Sequence, residues 1–199
     1  YKEISWLADR GISTGYAQPD GTKLFKPTDP VARDAMAAFM YRLSKAGVTT
    51  RVTAGDRSST QLSTSTDGRY VVFSSYASDL VSGDTNEVGD IFVWDRVSGQ
   101  TTRITDGNGD SSSPSVSGDG RYVAFASTAS NLVVDDTNSR EDIFVWDRVS
   151  NETTRITNGN DRSAGTAISG DGRYVSFYSQ ATDIVPGSAT SHGDVYLWD

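Results

Sequence analysis

Asp67-Gly68-Arg69-Tyr70-Val71 recurs as Asp119-Gly120-Arg121-Tyr122-Val123 and again as Asp171-Gly172-Arg173-Tyr174-Val175. The spacing is 52 residues both times, without a gap. Trp94-Asp95, Trp146-Asp147 and Trp198-Asp199 keep the same spacing, and so do the segments opening at Thr49, Thr101 and Thr153. A β-rich period of this length is one blade of a propeller or one unit of an array. Most recurring residues therefore serve the repeat before they serve any site.

Working outward from the Asp-Gly turn, each copy reads as four strands. In the first copy these are Gln61 to Thr66, Arg69 to Ser75, Asp90 to Arg96, and then Thr101 to Thr105, which opens the next copy. Ser98-Gly99 closes a short hairpin between the last two. Tyr70-Val71-Val72-Phe73 and Ile91-Phe92-Val93-Trp94 are apolar at every position. Strands apolar on both faces are covered on both faces, as a propeller sheet is between neighbouring blades.

The strand count bears on closure. Thr49 to Thr53 is a spare opening strand, and the last copy stops after its third strand at Trp198-Asp199. A propeller takes roughly four to eight blades, and this chain has three copies. Three closures are open: two chains joined as six blades with exchanged closing strands, further blades beyond Asp199, or an open array. The chain starts at Tyr1 rather than Met and shows no signal peptide, as expected of a processed chain or of a piece of a longer one.

Residues 1–47 read differently. Ile4, Leu7 and Ala8 recur at helical spacing, and Gly11 is a stop. Asp29 is an N-cap, Pro30 fits the first helical position, and Val31, Ala35, Met36, Phe39, Met40 and Leu43 form an apolar stripe. The expectation is a small N-terminal helical hairpin (1–47), with Trp6 in its core, followed by an all-β domain (48–199) built from repeats 49–100, 101–152 and 153–199.

Composition excludes several function classes. The 199 residues carry a net charge of −8, which speaks against binding a phosphate backbone. There is no cysteine, hence no disulfide framework and no thiol nucleophile. No apolar run reaches membrane-spanning length. The single histidine, His192, lies in a Thr-Ser-His-Gly loop, and no Gly-x-Ser-x-Gly accompanies it. A loop histidine is the simpler reading, and the chain is expected not to be an enzyme.

Two sets of side chains are candidates for binding. Asp84, Asn86 and Asp90, repeated as Asp136, Asn138 and Asp142, place alternating oxygens in a tight loop, which suits a hard cation such as Ca²⁺. In the third copy the aligned residues are Ser188, Thr190 and Asp194. Asx turns account for the same residues without a metal. The copies differ most over residues 54–62, 106–114 and 158–166. Asn108, Asp110, Asn160 and Asp161 in these loops are the candidate contacts to a partner. The Asp-Gly-Arg triplets themselves read as turns, and the repeated tryptophans as inter-blade core.

Ser117 to Ser127 followed by Asp142 to Arg148 resembles the β-propeller repeats of the TolB-like family, over all three copies. Related repeats form the propeller of prolyl-oligopeptidase-type enzymes. The resemblance implies a six-bladed ring that docks proteins or peptides at its funnel face. Ile4 to Ala8, Gly11-Ile12, Gly15-Tyr16, Asp20-Gly21-Thr22, Phe25-Lys26-Pro27 and Val31-Ala32-Arg33 resemble one S-layer homology repeat. That implies an exported bacterial envelope protein binding cell-wall polymer, with Trp6, Asp20 and Arg33 on the matching positions. The family's Thr-Arg-Ala-Glu is here Ala32-Arg33-Asp34-Ala35. The function expected from all of this is a secreted or surface-attached binding scaffold with a protein, peptide or glycan partner, and self-association of copies. The rival expectations are the propeller of a larger peptidase and a self-assembling structural subunit.

Overall fold

The structure is a computed structural model. It describes residues 49–187 and 192–199 and, before them, the backbone of two short strands. The chain divides into two compact units, Tyr1–Thr50 and Arg51–Asp199. In the first unit β1 (Tyr16–Ala17) pairs antiparallel with β2 (Lys23–Leu24). The expected helical hairpin, with Trp6, Asp20 and Arg33, lies outside the described residues.

The second unit is all β among its described residues. β3 (Ser59–Thr64), β4 (Tyr70–Ser75), β5 (Asp90–Asp95) and β6 (Gln100–Arg103) form one antiparallel meander. β7 (Ser111–Val116), β8 (Tyr122–Ser127), β9 (Asp142–Asp147) and β10 (Glu152–Arg155) form the second. β11 (Ser163–Ile168), β12 (Val175–Ser179) and β13 (Asp194–Trp198) form a third sheet of three strands. The middle strands are the apolar ones, and β4, β5, β8 and β9 are buried over most of their length. Each sheet carries a cross-strand aromatic pair at its centre: Phe73–Phe92, Phe125–Phe144 and Phe177–Tyr196, all with ring centroids 5.7 Å apart. Such pairs strengthen a sheet beyond the area they bury.

The strand boundaries shift by one or two residues from the sequence expectation, and two of the shifts have identifiable reasons. The first strand ends at Thr64, not Thr66, because Ser65 begins the turn: Gly68 N donates to its carbonyl and Tyr70 N to its hydroxyl. The fourth strand ends at Arg103, not Thr105, because the Thr105 hydroxyl replaces the backbone as acceptor for Ile91 N. The inner strands also share a bulge. Gln61, Ser113 and Gly165 all have positive φ, and register slips there in each sheet. This kind of bulge bends a strand and increases its twist. The spare strand expected at Thr49 to Thr53 does not form, since an extended segment without a neighbouring edge has no ladder to join.

The sheets stack face to face around their inner strands. One apolar core joins the first two sheets through Tyr70, Val72, Ile91 and Val93 on one side and Val116, Val123, Phe125, Phe144 and Trp146 on the other. A second joins the last two through Ala124, Ala126 and Ile143 against Val175 and Phe177. Backbone bonds link the inner turns in a chain: Thr66 N to Gly118 O at 2.9 Å, and Gly118 N to Gly170 O at 2.8 Å. This blade-on-blade stacking is the propeller arrangement.

Candidate functional site

One end of the sheets carries the Asp-Gly-Arg turns and the short hairpins, and the other carries the long loops. At the turn end, Asp67 accepts from the Ser65 hydroxyl at 2.6 Å and from Arg69 N at 2.9 Å. Asp119 and Asp171 do the same in their copies. Arg69 then reaches across the sheet to grip Asp95 with Nε and Nη2, both at 3.0 Å. Arg121–Asp147 and Arg173–Asp199 repeat the fork. The arginine beside Asp95, and the one beside Asp147, pull these carboxyls down to about 2. The triplet is thus a turn plus a brace, and the Trp-Asp pair supplies the other half of the brace.

At the loop end the fold gathers Asp84, Asn86 and Asp90, but the cation among them is the guanidinium of Arg103. Its Nη1 lies 2.6 Å from Asp84 and 3.4 Å from Asp90, and its Nη2 lies 2.7 Å from Asp106. Asn86 turns its amide nitrogen, not its oxygen, toward Asp90 at 3.0 Å, and the Thr105 hydroxyl donates to the other oxygen at 2.6 Å. Asp136, Asn138 and Asp142 surround Arg155 at similar distances, with Nη1 2.7 and 3.6 Å from the two carboxylates but aligned for a hydrogen bond to neither, and with Nη2 donating to Asp135 O at 3.1 Å. A calcium ion needs six to eight oxygens, whereas these oxygens already face donors. Among the described residues no group of three or more acidic or histidine side chains is placed to hold a metal. Burial pushes Asp90 and Asp142 upward, against the pull of Thr, Asn and Arg.

The loop residues singled out from the sequence are also engaged within the fold. Asn108 and Asn131 form a reciprocal clamp: Asn108 N donates to Asn131 Oδ1 at 2.8 Å, and Ser130 N, next to Asn131, donates to Asn108 Oδ1 at 2.9 Å. The same reciprocal clamp joins Asn160 to Asp183, and Asp56 to Asp79. Beneath each clamp a glycine meets an alanine so closely that a methyl would clash, at 2.5 Å for Gly107 on Ala129. Asp110 accepts from Gly89 N of the preceding blade at 2.8 Å. Asp161 accepts from Arg162 N and lies 3.8 Å from Arg140. These side chains brace the loops, Asn108, Asp110 and Asn160 from exposed positions and Asp161 from a half-buried one.

What the sequence reading missed is a groove of about 340 Å³ between the first two blades at the turn end. Arg69, Tyr70, Val93 and Asp95 of the first blade line it with Ser98, Gln100 and Thr102. Trp146, Arg148 and Asn151 of the second blade close it. Arg148 lies over the Tyr70 ring at 4.4 Å and donates Nε to Gly120 O at 2.9 Å. It makes no ion pair with a carboxylate among the described residues. Trp146 donates its indole N–H to Asn151 at 3.2 Å. Asn151 has φ 58° and occupies the repeat position of Gly99, φ 73°. That exchange was the available signal, since an asparagine at a left-handed turn position adds a polar side chain where glycine adds none. The tryptophans are not equivalent either. Trp146 is buried at the blade interface, Trp94 is half-buried on the face turned away from the second blade, and Trp198 is 39% exposed.

No family model matches the sequence, and no curated protein matches it. Solved structures do match in shape. TolB from Acinetobacter baumannii superposes with a TM-score of 0.50 at 20% identity, over 74% of this chain and 31% of that one. A TolB-type protein from Agrobacterium tumefaciens superposes with a TM-score of 0.54 at 23% identity, over 74% of this chain and 47% of that one. The chain therefore spans less than half the length of these propellers, and over that span its fold is that of the TolB-like β-propellers.

Proposed function

We propose that this chain is a non-enzymatic binding scaffold of the bacterial cell surface or exterior, and that the groove between its first two blades takes a carboxylate-bearing segment of a partner protein or peptide. The observation that carries this reading is Arg148. Its guanidinium is held over the Tyr70 ring and by one carbonyl, in a groove whose other charged groups, Arg69 and Asp95, are closed on each other as an ion pair and whose remaining polar groups are amides and hydroxyls. Charge-assisted bonds from arginine to a carboxylate are among the stronger polar contacts. Gln100, Thr102 and Asn151 offer donors and acceptors to a peptide backbone, while Val93 and the buried Trp146 give the groove an apolar floor. The location rests on the resemblance of residues 1–47 to an S-layer homology repeat.

The test is a titration of the chain, followed by tryptophan fluorescence, with short peptides ending in a free carboxylate and with the same peptides amidated. Carboxylate peptides should bind, amidation should weaken them about tenfold or more, and Arg148→Ala should erase the difference. Equal affinity for both forms, or no effect of Arg148→Ala, would remove the groove from consideration.

A further inference from the structure

We propose that Asn158 is a modification site: it deamidates without an enzyme, and the aspartate formed gives Arg155 the third carboxylate that Arg103 already has. The chain contains two Asn-Gly pairs, Asn108-Gly109 and Asn158-Gly159. Asparagine is a thermolabile residue. A following glycine makes it more so, because no Cβ shields the next backbone nitrogen from the side chain.

The fold treats the two pairs differently. Asn108 is locked in place, its Oδ1 accepting from Ser130 N at 2.9 Å and its Nδ2 donating to Ser130 Oγ at 3.0 Å. Asn158 is exposed, lies in no strand, and its side chain makes no hydrogen bond to the described residues. Gly159 N likewise has no backbone acceptor among them. Packing also demands the glycine, since a Cβ at position 159 would lie 2.4 Å from that of Ala181.

The reaction needs only water. Gly159 N bonds to Asn158 Cγ and loses its proton, the Cγ–Nδ2 bond breaks, and ammonia leaves behind a cyclic succinimide. Water then opens the ring, at Cγ to give aspartate or at the backbone carbonyl to give isoaspartate. One water is consumed, one ammonia is released, and one carboxylate is gained.

The repeat shows what that carboxylate would meet. Asn158 stands one period after Asp106, and Asp106 lies 2.7 Å from Arg103 Nη2. Arg155 is as buried as Arg103, but its Nη2 turns to the Asp135 carbonyl at 3.1 Å, and its buried Nη1 is aligned with no acceptor. An aspartate at 158 supplies a charged acceptor where the amide offers only a neutral oxygen. The position is exposed, so the gain is that of a surface pair, small but of fixed sign.

The test is to hold the folded chain in mildly alkaline buffer and to map its peptides by mass spectrometry over time, counting aspartate and isoaspartate together. Asn158 should convert about tenfold or more faster than Asn108, which must first break two hydrogen bonds. In urea, where the fold no longer distinguishes them, the two should convert at similar rates. Equal rates in the folded chain, faster loss of Asn108, or a ratio that persists in urea would each overturn the site. For the pairing, Asn158→Asp should raise the midpoint of urea unfolding, and Asp106→Asn should lower it. A midpoint left unmoved or lowered by Asn158→Asp would overturn the part given to Arg155.

Discussion

Asp90 and Asp142 have no solvent exposure, yet each lies beside an arginine from the neighbouring strand. A buried carboxylate is tolerable only when paired and hydrogen-bonded, and Arg103 and Arg155 supply that pairing. Removing Arg103 by Arg103→Met leaves Asp84 and Asp90 buried without a cation. The expected loss is about 3–5 kcal/mol in urea unfolding. Arg103→Lys should recover only part of it, because an ammonium cannot span three carboxylates as the planar fork does. With the arginine in place, millimolar calcium or a chelator should leave the unfolding midpoint unmoved, and a calcium-induced rise would show that the oxygens rearrange around metal. Asp95 and Asp147 behave oppositely with pH. Their folded pKa, about 2, lies below the ordinary aspartate value of 3.8. Their contribution is therefore complete above that ordinary value and is lost as pH falls toward about 2. The paired variant Asp95→Asn with Asp147→Asn should flatten the fall in stability between pH 5 and 2 measured by urea titration. The acidic cluster was legible in the sequence from Asp84, Asn86 and Asp90. Its cation was not, because Arg103 sits on another strand and only the register opposite Phe92 brings it in.

The turn between the first two strands of each blade shows how much of an element serves its neighbour. Gly120 has φ 71°, and a methyl there would lie 2.1 Å from the Tyr70 ring of the preceding blade. Gly99 has φ 73° in a hairpin turn with nothing within 4 Å. Gly99→Ala should cost only the left-handed backbone, about 1–2 kcal/mol. Gly120→Ala should cost that and the displacement of Tyr70, about 2–5 kcal/mol in all, and the difference in urea midpoints measures blade packing. Gly99→Asn should be milder still, since Asn151 already occupies the equivalent turn. The strands themselves were legible from runs such as Tyr70 to Phe73, because burial on both faces leaves a continuous apolar record. The bulges at Gln61 and Ser113 were not, since neither residue announces a positive φ. The groove was hidden for a related reason: Trp146, Arg148 and Gln100 converge only after two blades stack.

At the scale of the whole molecule the repeat makes a stronger test than any single contact, because it predicts what an exposed residue should meet. Gly68 occupies the position of Gly120 and Gly172 with φ 64°, but without a tyrosine over it. Within one chain Gly68→Ala should therefore resemble Gly99→Ala and cost only backbone strain. In urea unfolding the midpoints of Gly68→Ala and Gly99→Ala should agree closely, with Gly120→Ala below both. A loss at Gly68 as large as that at Gly120 would show that the face of the first blade around Gly68 and Leu62 is packed against a neighbour in solution, by the same tyrosine-on-glycine contact that Tyr70 makes with Gly120.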